Sequence, residues 1–96
     1  MRIDLSSRVA LVTGSTRGIG RAIAARMAGC GARVAVVGRD AERAQAAAGE
    51  IGGDARGFAA DVADPALVVA LGEQVESGVG SVDILVNNAG LTRDNI

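Results

Sequence analysis

Apolar and polar positions switch repeatedly between two periods along this chain. Arg8 to Val12 (RVALV) is a short, nearly continuous apolar run closed by Thr13 and Gly14, the pattern of a strand buried on both faces. From Gly18 to Gly29 the period becomes helical: Ile19, Ala22, Ile23 and Met27 share one stripe, and Arg21 and Arg26 lie off it. Gly29 and Gly31 end this helix, as residues tolerant of positive φ do. A second strand is predicted over Ala32 to Val37 (ARVAVV). Asp40 then suits the N-cap of a second helix, with Ala41, Ala44, Ala48 and Ile51 on its inner face. GGDARG reads as a turn, and Phe58, Ala59 and Ala60 as a short third strand. Asp64 followed by Pro65 starts a third helix, whose apolar stripe is Leu67, Val68, Leu71 and Val75. The fourth strand is Val82 to Val86 (VDILV), and NNAG follows it.

This βαβαβαβ alternation, with short connections, predicts an α/β fold: a Rossmann-type, doubly wound parallel sheet of strand order 3-2-1-4. Residues 1–96 form one unit, without repeats or linkers. Strand four reads as a central strand yet has no later strand to pair with, so the sheet is incomplete. The expectation is the N-terminal part of a longer protein.

Hydrophobic residues are 49% of the chain, enough for a core, but there is one Phe and no Trp or Tyr. Burial must therefore come from Val, Ile, Leu and Ala. The formal net charge is −1 and the basic residues, all arginine, are scattered, which argues against a nucleic-acid or membrane-surface footprint. No apolar run is long enough to span a bilayer, and MRIDLSSRV does not read as a signal peptide. Cys30 stands alone between two glycines, so no internal disulfide forms and a cytoplasmic protein is expected. With no His and one Cys, no metal site is expected. The absence of His, Lys and Tyr also excludes any mechanism in which this chain itself supplies an imidazole, an amine or a phenol.

TGSTRGIG sits where strand one meets helix one. A turn this tight needs residues without a Cβ, and a diphosphate must come close to backbone N–H groups. The helix N-terminus adds unpaired donors and partial positive charge. The spacing is G-x3-G-x-G rather than G-x-G-x-x-G, and βα turns are often glycine-rich without binding anything. A second turn changes the balance. In a 3-2-1-4 sheet, strands one and four are neighbours, so NNAG faces the glycine turn across the crevice where such folds bind ligands.

The pair of motifs, TGSTRGIG after the first strand and NNAG after the fourth, resembles the short-chain dehydrogenase/reductase family over essentially the whole chain. The tail NNAGLTRDN is most similar to the bacterial 3-oxoacyl-(acyl-carrier-protein) reductases of that family, although reductases of acyl-CoA esters and of sugars share much of it. The resemblance implies a nicotinamide cofactor. Gly14, Ser15, Thr16 and Arg17 would line the turn, and Gly18, Ile19 and Gly20 would lie at the pyrophosphate and helix start. Asp61 and Val62 match the adenine-contacting pair, and Asn88, Ala89 and Gly90 border the nicotinamide-side ribose. Asn87 matches the position that holds the central sheet together.

Asp40 lies twenty residues after Gly20, a spacing that superficially favours NAD, but it is better placed to cap helix two. Gly38 occupies the place of a ribose-binding acid, and Arg17 and Arg39 can both reach a 2′-phosphate, so NADP(H) is expected. The family's catalytic Ser, Tyr and Lys match no residue here. Ketone reduction is therefore implied for a full-length parent, most similar to one acting on 3-oxoacyl thioesters, while this chain is expected to be inactive alone. The resemblance also implies a homotetramer at full length, through helices this chain lacks. Two other readings stay open: a non-catalytic dinucleotide-binding module, and a fragment that pairs through its strand-four edge.

Overall fold

The computed structural model describes residues 3–89. Seven elements alternate in chain order: β1 (Val9–Val12), α1 (Gly18–Gly29), β2 (Arg33–Gly38), α2 (Ala41–Ile51), β3 (Arg56–Ala59), α3 (Pro65–Gly78) and β4 (Ile84–Val86). The strands form one sheet in the order β3-β2-β1-β4, every pair parallel. That is the doubly wound arrangement expected from the alternation of periods.

Because side chains alternate across a strand, the sheet divides its apolar residues between two cores. Ala10, Val12, Val34 and Val36 point to the face covered by α1 and α2, where they meet Ala24, Ala47 and Ala48. Val9, Leu11, Ala35 and Val37 point to the other face, under Leu71 and Val75 of α3. Small residues let the layers approach closely. A Cβ at Gly57 of β3 would run into the Ala44 backbone of α2, which explains a glycine inside a strand.

The helix faces differ from the predicted stripes. In α1, Ile19 is 71% exposed and Ala22 is also exposed, whereas Gly20 and Ala24 are buried with Ile23, Met27 and Ala28 beside them. Gly20 sets this rotation: it abuts the Gly14 carbonyl so tightly that a Cβ would run into it. Ile19, one residue earlier, is thereby turned outward. In α2, Ala41 is exposed and Ala47 joins Ala44 and Ala48 inside. In α3, Leu67 and Val68 are exposed at 43% and 42%, and only Leu71 and Val75 are buried. The face of β4 on that side is also bare, Leu85 being 66% exposed, so among the described residues nothing covers this corner.

Strand limits shift as well. β1 starts at Val9, whose N–H donates to the Asp83 carboxylate at 2.9 Å, so Arg8 lies outside it. β4 begins at Ile84, where pairing with Ala10 starts, and Val82 stays outside the strand. β2 runs on to Gly38, and β3 starts early at Arg56 because it pairs with Ala35.

Candidate functional site

The carboxyl ends of β1 and β4 meet at the centre of the sheet, where chain direction diverges into α1 on one side. Thr13 and Asn87–Ala89 join the two ends. The Thr13 Oγ1 bonds the Val86 carbonyl at 3.4 Å and Asn87 Oδ1 at 3.3 Å, and it accepts from the Ala89 N–H at 3.1 Å. Asn88, 2% exposed, donates its Nδ2 to the Gly14 carbonyl at 3.1 Å. The sheet-tying role expected of Asn87 is thus shared, and its buried member is Asn88. Asn87 itself is exposed. The Asn88 amide is turned into the protein, against the glycine turn.

The turn follows from its glycines. Gly14 has φ +60° and Gly18 has φ +64°, a left-handed conformation that side chains disfavour. Around Gly14 the space is also closed: an added Cβ would sit 3.1 Å from Ala89 Cα. At Gly18 it would meet nothing within 4 Å, so this part of the turn opens outward. Ser15 does not face that opening. Its hydroxyl donates to the Val12 carbonyl at 2.6 Å and accepts from the Val37 N–H at 2.9 Å, and its own N–H donates to the Val37 carbonyl. Fully buried, Ser15 stitches the turn to β2.

α1 starts on Arg17, in extended conformation, with no side-chain cap and no acid in the first turn. A helix leaves its first N–H groups without intrahelical partners. Here those donors, at Gly18, Ile19 and Gly20, stand at the mouth of the crevice with no capping side chain. Thr16 lies over the end of β2, where its methyl would collide with any side chain at Gly38. This close approach explains why no acid stands at the end of β2. The adjacent Arg39 is exposed and has no ion-pair partner among the described residues. Asp40 caps α2, accepting from the N–H groups of Glu42 at 2.9 Å and Arg43 at 3.3 Å. At the end of β3, Asp61 is exposed, one oxygen accepting from the Ala63 N–H at 3.0 Å, and Val62 is half-buried beside it. Gly90 lies outside the described residues.

The arrangement therefore brings Gly14, Thr16, Arg17, Gly18, Ile19, Gly20, Asn88 and Ala89 around the mouth between β1 and β4, with Arg39 and Asp61 at the neighbouring strand ends. A diphosphate fits it chemically: bare N–H donors, no carboxylate in the first turn and no Cβ in the way. Thr13 was not among the expected site residues, although it organises the NNAG turn. Its one signal in the sequence is a polar residue directly after a fully apolar strand.

The profile of the short chain dehydrogenase family matches residues 8–96. A 3-oxoacyl-(acyl-carrier-protein) reductase of Escherichia coli K12 is 44% identical over 94 residues, covering 98% of this chain and 38% of that enzyme. D-threitol dehydrogenase of Mycolicibacterium smegmatis is 52% identical over 92 residues, covering 93% of this chain and 35% of that enzyme. Among solved structures, L-sorbose reductase from Gluconobacter frateurii, complexed with NADPH and L-sorbose, superposes with a TM-score of 0.87 at 44% identity, covering 94% of this chain and 36% of that one. The chain thus spans less than two-fifths of the length of these relatives. With the parallel 3-2-1-4 sheet and the paired turns in place, the chain belongs to the short-chain dehydrogenase/reductase family of oxidoreductases.

Proposed function

We propose that this chain is the cofactor-binding part of an NADPH-dependent reductase whose full-length form reduces a ketone, a 3-oxoacyl thioester of fatty-acid synthesis being the substrate class favoured. The observation that carries the cofactor assignment is the bare N-terminus of α1 behind Gly14 and Gly18. The pyrophosphate accepts from the N–H groups of Gly18, Ile19 and Gly20. Arg17 and Arg39 bind the 2′-phosphate, since both are exposed, lack acidic partners among the described residues, and flank a strand end that carries Gly38 in place of an acid. Asp61 and Val62 border the adenine, and Asn88, Ala89 and Gly90 border the nicotinamide-side ribose. The bound nicotinamide supplies hydride chemistry; the residues of this chain hold and orient it.

The acyl-thioester assignment rests on the similarity to the Escherichia coli reductase. The higher identity to D-threitol dehydrogenase supports a second reading, a polyol or ketose substrate. Either reaction needs a proton donor that this chain lacks, having no Tyr, Lys or His. The chain alone binds cofactor without turnover, and the full-length protein is a cytoplasmic homotetramer with no nucleic-acid or membrane partner. In the described residues, no helix is long and apolar enough to cross a membrane.

Fluorescence titration with NADPH and NADH tests the cofactor reading. Wild-type chain binds NADPH in preference to NADH, and Arg39→Asp reverses the order by at least about tenfold, the loss of one charge-assisted contact to phosphate. Equal affinity for both nucleotides, unchanged by Arg39→Asp, refutes it.

A further inference from the structure

The glycine turn lies at the carboxyl end of the sheet. At the opposite end, a cleft of about 450 Å³ opens between the starts of β2 and β3 and the end of α3. Arg33, Asp54, Arg56, Gly53, Gly78 and Val79 line it. Arg33 and Arg56 begin their strands, and the register pairing Ala35 with Arg56 puts both on the α3 face as diagonal neighbours.

Both guanidiniums are held by the same helix end. Arg33 Nη1 donates to the Val79 carbonyl and Arg56 Nη1 to the Gly78 carbonyl, each at 2.9 Å. α3 has no basic residue in its own last turn, so these two strand arginines complement its negative end. That role uses one N–H of each guanidinium, whereas each carries five. Among the described residues neither has a carboxylate partner, and Asp54, on the rim, forms no ion pair. Two cations thus bond neighbouring carbonyls of one helix end, with most of their donors free, in an open polar cleft.

We propose that this cleft binds a small dianionic phosphate ester, whose phosphoryl oxygens bridge Arg33 and Arg56. The planar forks suit phosphate oxygens, and the helix-end contacts pre-organise them, which lowers the ordering cost of binding. Asp54 opposes the anion and limits its affinity. The site is independent of the nucleotide site, so failure of one leaves the other standing.

The test is a titration of the full chain with inorganic phosphate at constant ionic strength, with chloride as control, read by amide ¹H–¹⁵N chemical shifts. The expected result is saturable shifts at Gly53–Arg56 and Gly78–Val79 with phosphate only. Arg33→Gln and Arg56→Gln each weaken binding at least about threefold, and Asp54→Asn tightens it about twofold, as expected for single charges near a solvated site. Non-saturating shifts, or equal shifts with chloride, overturn the proposal. So does unchanged affinity in the arginine variants while their circular dichroism stays native. If those variants lose helix, Asp54→Asn decides: tighter binding supports the site, and an unchanged curve overturns it.

Discussion

α1 and α3 begin in opposite ways. α3 opens on Asp64, whose carboxylate accepts from the Ala66 N–H at 3.0 Å, with Pro65 filling the first helical position. α2 does the same with Asp40. α1 opens on Arg17 with no side-chain acceptor, on a glycine held at positive φ. The helices that only support the sheet satisfy their own ends, and the one at the centre of the sheet leaves its donors for something else. Under the proposed function, local stability and ligand binding compete for the same N–H groups, and in this chain one residue at each helix start decides between them.

The largest effect should come from the residue that brings α1 against the turn. A Cβ at Gly20 would run into the Gly14 carbonyl and the Asn88 amide, both parts of the join between β1 and β4. Gly20→Val should cost about 3 kcal/mol or more, since backbone rather than a flexible side chain must move. The gain in helix propensity, at most about 1 kcal/mol, does not offset this. Urea denaturation checks it; a variant as stable as wild type means the close approach is not there.

Arg17→Asp attacks the comparison directly, by giving α1 the start that α2 and α3 have. A carboxylate at this N-cap should stabilise the chain by about 0.5–1 kcal/mol. It should also weaken NADPH binding at least about tenfold, because it removes a cation and competes with phosphate for the same donors. Denaturation and nucleotide titration on one sample read both. A variant both more stable and fully competent for NADPH would mean the α1 terminus does not hold the phosphates.

How much of this was legible in the sequence depends on the range of the interaction. The succession of strands and helices along the chain and the two Asp caps follow from local signals: short continuous apolar runs, stripes of period near 3.6, and Asp or Asp-Pro at helix starts. The glycine turn was legible because positive φ and close approach each demand glycine, as Gly14, Gly18 and Gly20 do. The rotation of α1 was not, because the contact that fixes it, Gly20 against Gly14, pulls a residue with no side chain inward and leaves Ile19 outside. Nor was the division of labour between Asn87 and Asn88, or the inward turn of Ser15. Those depend on which side chain finds a partner across the sheet, at β1 and β2, far away in sequence. Leu67 and Val68 read as core because nothing local tells an apolar stripe whether a neighbouring element covers it.

The smallest effect sharpens the comparison from the supporting side. Asp64→Ala removes the cap of α3, while Pro65 still supplies a favourable first position. The N–H of Ala66 then turns to water, which it can reach because this helix start is exposed. The expected loss is therefore about 1 kcal/mol, the ordinary value of such a cap. NADPH affinity should not change, because the Asp64 backbone N–H, which donates to the Asp61 carbonyl beside the proposed adenine position, is kept when only the carboxylate is lost. Asp64→Ala and Arg17→Asp should thus differ in sign for stability and in kind for binding. If Asp64→Ala weakened nucleotide binding as well, the α3 start would itself belong to the adenine side of the site, and the separation between supporting and ligand-facing termini would fail.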